Sequence, residues 1–328
     1  SGRRGALDAP SLGRRTRRRV VAMGGGHGLA ASLQALRRVT DSLTAVVGVA
    51  DDGGSSGRLR ADFGIIPPGD LRMALAALCG DDAWGRTWQQ VIQHRFGGEG
   101  ELAGHSLGNL LITALWEQSG DAVTGLDWVG ALLEAHGRVL PCTTVPLTIV
   151  AEVLGHDPSR PDDVCIVRGQ VEVATTPGTV LDIALDPPEP PACREALEAL
   201  AEADAIVLGP GSWYTSVIPH LVIPELAKAM TESPATRIVV LNLDPQAGET
   251  TGFASHTYLD VLYNFLPDLR IDTVIADRHH VEDLAALERS AADLGATVFL
   301  TEVAKAGPGN AGKHDPQRLA VAFDTVLA

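Results

Sequence analysis

Arg19-Val20-Val21-Ala22-Met23-Gly24-Gly25-Gly26-His27-Gly28 decides how this chain is read. A short apolar run stops at a cluster of glycines, and Leu29, Leu33, Leu36 and Val39 then recur near helical spacing. The next apolar run, Ala45-Val46-Val47-Gly48-Val49, shows no alternation, as expected of a strand covered by helices on each side. It stops at a second turn cluster, Asp51-Asp52-Gly53-Gly54-Ser55-Ser56-Gly57. Strand, glycine turn, helix, strand is how a doubly wound sheet begins. The expected fold class is therefore α/β: a Rossmann-like, mostly parallel sheet with helices on both faces.

The same grammar continues downstream. Pro67-Pro68-Gly69-Asp70 punctuates the chain, and Asp70 is expected to cap a helix carrying Leu71, Leu75 and Leu78. From about residue 84 to 136 the periodicity is helical, and Ser106 is expected to start one helix with Leu107, Leu110, Leu111 and Leu115 on its apolar face. Residues of about 138 to 190 change character. Val145 to Val153 and Val164 to Val173 are rich in β-branched residues, and proline is dense from Pro177 to Pro191, so a small strand-rich insertion is expected. Strands then return at Ala205–Leu208, ending in Gly209-Pro210-Gly211-Ser212, and at Ile238–Leu241, ending in Asn242. Further strands are expected at Thr273–Ile275 and Val298–Leu300, with a last helix from Pro316. Residues 19–327 read as one domain.

Composition narrows the function. With 328 residues and 45% hydrophobic content, the chain can bury a substantial core. A net charge of −15 disfavours nucleic acid and anionic lipid as partners. The exception is the start of the chain, where Arg3, Arg4, Arg14, Arg15, Arg17, Arg18 and Arg19 cluster. Residues 1–18 are expected to be a disordered basic leader, the alternative being an arm that touches a partner or membrane. The leader lacks the apolar segment of a secretory signal, and no stretch is apolar enough to span a bilayer. Cys79, Cys142, Cys165 and Cys193 are scattered without metal-ligand spacing, which suits reduced packing residues and a cytoplasmic address.

In an open parallel sheet, ligands bind beyond the C-terminal ends of the strands. Glycine turns there let the backbone approach an anion, and helix N-termini present free amides to it. Gly24, Gly25, Gly26, His27 and Gly28 are accordingly candidate ligand contacts, although such a turn can be purely structural. They fit neither the Walker loop nor the spacing G-x-G-x-x-G. The 51–60 loop is more specific. Asp51 and Asp52 could hold Mg²⁺ against a diphosphate, Gly53, Gly54, Ser55 and Ser56 could contact its oxygens, and Arg58 could neutralise charge. The alternative is an Asx-turn with a solvated arginine. Arg72 could reach either a phosphate or Asp70. Gly104-His105-Ser106-Leu107-Gly108 has the letters of a nucleophile elbow, but a loop rather than a buried strand precedes it. Ser106 reads better as a helix cap, with His105 and Asn109 facing a ligand. His94, His136 and His256 read as surface or packing residues.

Taken together, Ala50–Arg60, Pro68-Gly69-Asp70-Leu71-Arg72, His105-Ser106-Leu107-Gly108-Asn109-Leu110 and Gly209-Pro210-Gly211-Ser212 resemble the CofD-like superfamily, over roughly residues 19 to 327. The resemblance is closest to its YvcK branch of gluconeogenesis factors, which Trp213-Tyr214-Thr215-Ser216, Asn242, Gln246–Thr250 and His314-Asp315-Pro316 also fit. It implies a Rossmann-like fold and a cytoplasmic protein that binds UDP-sugars. It also implies a need for this protein in cell shape and wall synthesis during gluconeogenic growth. On this reading the diphosphate lies between Gly24–Gly28, the 51–58 loop and Gly209, Gly211 and Ser212, with Asn242 near the base or ribose. No catalytic residue and no certain cofactor are implied, and the partner is a small nucleotide-sugar; self-association and regulatory protein partners are compatible with it. The CofD branch proper implies instead a 2-phospho-L-lactate transferase using a guanosine-diphospho donor and Mg²⁺. A scaffold with an unused cleft is the third alternative. His27 stands where threonine is common, and Ala50 replaces the transferase branch's more polar lead-in, which favours the YvcK branch.

Overall fold

The computed structural model describes residues 15–328. The chain begins with β1 (Thr16–Gly24), α1 (Gly26–Leu36) and β2 (Thr40–Val47), followed by α2 (Gly54–Phe63) and α3 (Gly69–Leu78). Next come α4 (Ala83–Gln93), α5 (Leu107–Ser119), α6 (Ala122–Leu132) and β3 (Arg138–Pro141). A separate group follows: β4 (Thr148–Leu154), β5 (Val164–Arg168), the short α7 (Gln170–Ala174) and β6 (Thr179–Asp186). The chain resumes with α8 (Arg194–Glu202), β7 (Ala205–Leu208), a π-helical turn at Trp213–Val217, α9 (Ile218–Leu221) and α10 (Pro224–Glu232). It finishes with β8 (Thr236–Val240), α11 (Ser255–Phe265), β9 (Thr273–Asp277), α12 (Leu284–Asp293), β10 (Thr297–Thr301) and α13 (Pro316–Val326).

Among the described residues seven strands form one sheet in the order β10-β9-β8-β7-β1-β2-β3. Every neighbouring pair in it is parallel. The order runs outward in opposite directions from β1 and β7, so right-handed crossovers place helices on opposite faces. On one face α1 packs on α3 and α13; on the other α8 packs on α10, and α11 on α12. Val20–Met23, Ala45–Val47, Ile206, Val207, Ile238–Val240 and Val274–Ala276 are all buried between these layers. Burial on both faces explains why these runs are apolar throughout.

Several boundaries move. β1 starts at Thr16 rather than Arg19, because Thr16 and Arg19 already pair with Thr40 and Ser42 of β2. Thr16–Arg18 therefore belong to the sheet and Arg15 pairs with Asp41 beside it, while residues 1–14 of the expected leader lie outside the described residues. β2 ends at Val47 instead of Val49. β3 lies within the range expected for the insertion, yet it pairs with Thr44–Val47 of β2 in the main sheet. Only β4, β5 and β6 form the second, antiparallel sheet, in the order β5-β4-β6. The strand expected to run to Val173 stops at Arg168. Gly169 has φ +101°, and the chain then turns into α7.

Candidate functional site

The strand order reverses between β1 and β7, and open α/β sheets bind ligands beyond the C-terminal ends of the strands at such a point. The two turns that follow these strands meet there. A Cβ on Gly28 would stand 2.1 Å from the carbonyl oxygen of Pro210, so only glycine lets the start of α1 pass this close to the turn after β7. Asn242, from the end of β8, clamps that turn: its Oδ1 accepts the Gly211 amide and its Nδ2 donates to the Gly211 carbonyl, each at 2.8 Å. It is thus a brace for Gly211 through both amide atoms, rather than a side chain left free for a base or ribose.

Gly25 meets a second set of neighbours. A Cβ there would lie 2.5 Å from Asp70 Oδ2 and 3.2 Å from Ser216 Oγ. Asp70 is not the cap of α3; Pro68 occupies that position and Asp70 sits in the first turn. Its carboxylate instead lies by the start of α1, where the Gly26 amide, one of the free donors there, favours its charged form. Burial, and after it the neighbouring Asp51, push the Asp70 pKa up to about 7, against the opposing pull of the Gly26 amide and Arg72.

The two acids of the 51–52 pair separate. Asp51 Oδ1 accepts the Gly53 amide at 3.0 Å in an Asx-turn, while its Oδ2 and the Ser56 hydroxyl crowd Gly69. Asp52 turns away and accepts the amides of Gln170 and Val171, each at 3.0 Å. Each of its oxygens thus caps α7, and Asp52, of the pair expected to hold Mg²⁺, is the one tied to the insertion. The carboxyl group beside Asp51 is Asp70. Among the described residues no group of three His, Cys, Asp or Glu side chains has the geometry to hold a metal.

Behind the rim lies a buried polar network. Ser55 Oγ accepts from the Ser106 amide at 3.2 Å and from Asn109 Nδ2 at 3.1 Å, and lies 3.0 Å from His105 Nδ1. Asn109 Nδ2 also reaches Ser56 Oγ at 3.4 Å, and Arg72 Nε donates to Asn109 Oδ1 at 2.8 Å. Arg72 Nη1 also donates to Gln93 Oε1. Ser55, Ser56, Arg72, His105, Ser106 and Asn109 are all buried. They join the loops after β2 and before α5 into one wall, and Arg72 hydrogen-bonds Asn109 and Gln93 while its charge also acts on Asp70. Ser106 stands at the cap position of α5 but its hydroxyl donates to the Ile92 carbonyl at 3.0 Å, and the elbow reading has no strand beneath it. Burial, then the charge of Arg58, lowers the His105 pKa. Arg58 itself is exposed and donates to the Ala103 carbonyl at 2.8 Å. His27, Gly54 and Arg58 face solvent at the rim, while Gly24 and Gly209 are buried beneath it.

Three residues not singled out individually in the sequence complete the arrangement. Ser216 packs against Gly25, and Glu249 accepts from the Tyr214 amide at 3.0 Å and from the Thr215 hydroxyl, fixing the π-helical turn after Ser212. His220 is fully buried with Nε2 3.2 Å from the Val46 carbonyl; its burial lowers its pKa to about 4. Ser216 and Glu249 lie inside the Trp213–Ser216 and Gln246–Thr250 runs; His220, like Gln93, had no local signal. The cysteines are all unpaired, and three of them are buried.

Comparison with known proteins agrees with this architecture. Residues 20–304 match the family described as 2-phospho-L-lactate transferase CofD. A Mycobacterium tuberculosis protein named "Putative gluconeogenesis factor" is 49% identical over 312 residues, covering 94% of this chain and 90% of that protein. A "Gluconeogenesis factor" from Halalkalibacterium halodurans is 36% identical over 267 residues, 81% of this chain and 80% of that one. A crystal structure of a UPF0052-family protein from Bacillus halodurans superposes with a TM-score of 0.83 at 30% identity, covering 94% of this chain and 99% of that chain. No helix among the described residues is long and apolar enough to cross a membrane. With the sheet order and these relatives in agreement, the chain belongs to the CofD family and groups within it with the gluconeogenesis factors.

Proposed function

We propose that this chain binds a nucleoside diphosphate sugar, a UDP-sugar, at the crevice between the turns after β1 and β7, and acts as a cytoplasmic regulator. The role fitted to it is coupling of cell-wall precursor supply, and so cell shape, to gluconeogenic carbon. One observation carries the reading. The N-terminal turn of α1, with no acidic residue of its own, is packed directly on Gly211 at the strand-order reversal. That places free amides and a helix dipole at one spot, the chemistry that receives a phosphate. Asp70 stands by the Gly26 amide there, so the ligand's anionic group either settles beside it on the His27, Gly28 and Ser212 side or displaces it.

A second reading, phosphoryl-type transfer with Mg²⁺, draws support from the proximity of Asp51 and Asp70, two carboxyl groups that repel one another unless a cation or proton lies between them. Asp51 and Asp70, not Asp52, would then hold the ion, and the ion would neutralise the diphosphate. Calorimetry with UDP-GlcNAc, UDP-glucose, GDP and NAD separates the two. Tight UDP-sugar binding without metal is expected. Binding and turnover of a guanosine-diphospho donor only with Mg²⁺ would replace the regulator with the transferase, and no nucleotide binding at all would leave the scaffold.

A further inference from the structure

Among the described residues the main sheet has two edges, β3 and β10. An exposed edge offers unpaired N–H and C=O groups, and proteins usually blunt it with charge, proline or a very short strand. β3 follows this rule: it has four residues, begins with Arg138 and ends with Pro141. In the small sheet β5 ends on Arg168, and β6 carries Asp182 and Asp186. β10 has none of these guards. It reads Thr297-Val298-Phe299-Leu300-Thr301, and its three apolar side chains are only partly buried.

The backbone shows which groups are left over. The Thr297 amide donates to Asp272 at 3.0 Å, and the Thr301 carbonyl accepts from Arg278 at 2.9 Å, so these positions face β9. In a parallel strand, alternate residues direct both backbone groups to the same side. Phe299 therefore also faces β9, and Val298 and Leu300 direct theirs outward. The segment is chemically palindromic about Phe299. A two-fold axis through Phe299 sets Val298 opposite Leu300 of a second copy, Leu300 opposite its Val298, and threonine opposite threonine. Both outward residues thus fall at hydrogen-bonded positions, each pair exchanging two N–H···O bonds. The seam itself carries no charge, which matters for a chain with net charge −15. Glu302, just beyond the strand, is already paired with Arg318 at 3.2 Å.

We infer that two copies of this chain associate through antiparallel pairing of β10, making one continuous sheet. The contact is isologous, so it closes at the dimer. Light scattering of the full chain over a concentration series tests this. The wild type is expected to run at twice the monomer mass. Leu300→Pro deletes an outward N–H and leaves the ladder to β9 intact, so it is expected to run as a monomer that still melts cooperatively. Phe299→Cys brings two thiols together at the close, non-hydrogen-bonded position on the axis, and is expected to cross-link under mild oxidation where Val298→Cys does not. If Leu300→Pro does not fold, the cysteine pair decides. A wild type that stays monomeric throughout, or a dimer in which Phe299→Cys does not cross-link, overturns the proposal.

Discussion

Asp52 reaches 118 residues along the chain to accept the backbone amide of Gln170 at 3.0 Å. This bond ties the acidic loop after β2 to the first turn of α7, and through α7 to the three-stranded sheet. Asp52→Ala should cost about 1 kcal/mol, the ordinary value of a helix cap, and the loss should be local. Hydrogen exchange should accelerate across residues 164–175 with little change in the main sheet; uniform protection would show that the cap holds nothing.

Gly28→Ala tests the meeting of the β1 and β7 turns. The new methyl group would lie 2.1 Å from the Pro210 carbonyl, a backbone atom that cannot swing aside. A loss of about 1–3 kcal/mol is expected in denaturant unfolding, as for other overpacked sites. UDP-sugar affinity should fall with it.

Ser55→Ala removes the acceptor shared by the Ser106 amide and Asn109. Because both donors are buried, the expected cost is about 1–3 kcal/mol, more than a surface serine would give. Ser55→Thr should recover little, since Ser55 is enclosed. Thermal melts of the two variants check this.

Asp70 sets a pH dependence. Its pKa in the folded chain, about 7, lies above the ordinary carboxyl value, chiefly through burial and then through Asp51. The folded state thus holds this proton more tightly than the unfolded chain does. The resulting stabilisation is complete below the ordinary carboxyl pKa and is lost as pH rises through about 7. Asp70→Asn should therefore flatten the fall in Tm between about pH 5 and 8. Parallel melting curves for the two proteins would refute it.

Asp277 has the opposite sign. Burial alone would raise its pKa, but hydrogen bonds from His280, His279, Ala304 and Val303 outweigh it and hold the carboxyl down at about 2. Its stabilisation is present above the ordinary carboxyl pKa and is lost as pH falls toward about 2. Asp277→Asn should be less stable than the wild type at neutral pH, and the gap should close in acid titrations.

By itself the sequence determined where the sheet lies and where its turns fall. Val20–Met23, Ala45–Val47 and Val207–Leu208 are apolar without alternation because helices cover both faces, and that pattern needs no knowledge of neighbours. Glycine clusters marked the ends of β1, β2 and β7 for the same local reason. What each polar side chain does was decided only by tertiary structure. Asp51 and Asp52 are adjacent in sequence, yet one faces Asp70 and the other caps a helix from the insertion. Ser55, Arg72, His105 and Asn109 come from three separate stretches of sequence, and the fold joins them in one buried hydrogen-bond network. A hydrogen bond depends on where its partner stands within about 3 Å, and partners 37 to 118 residues away are set by packing, which no local pattern of residue types encodes.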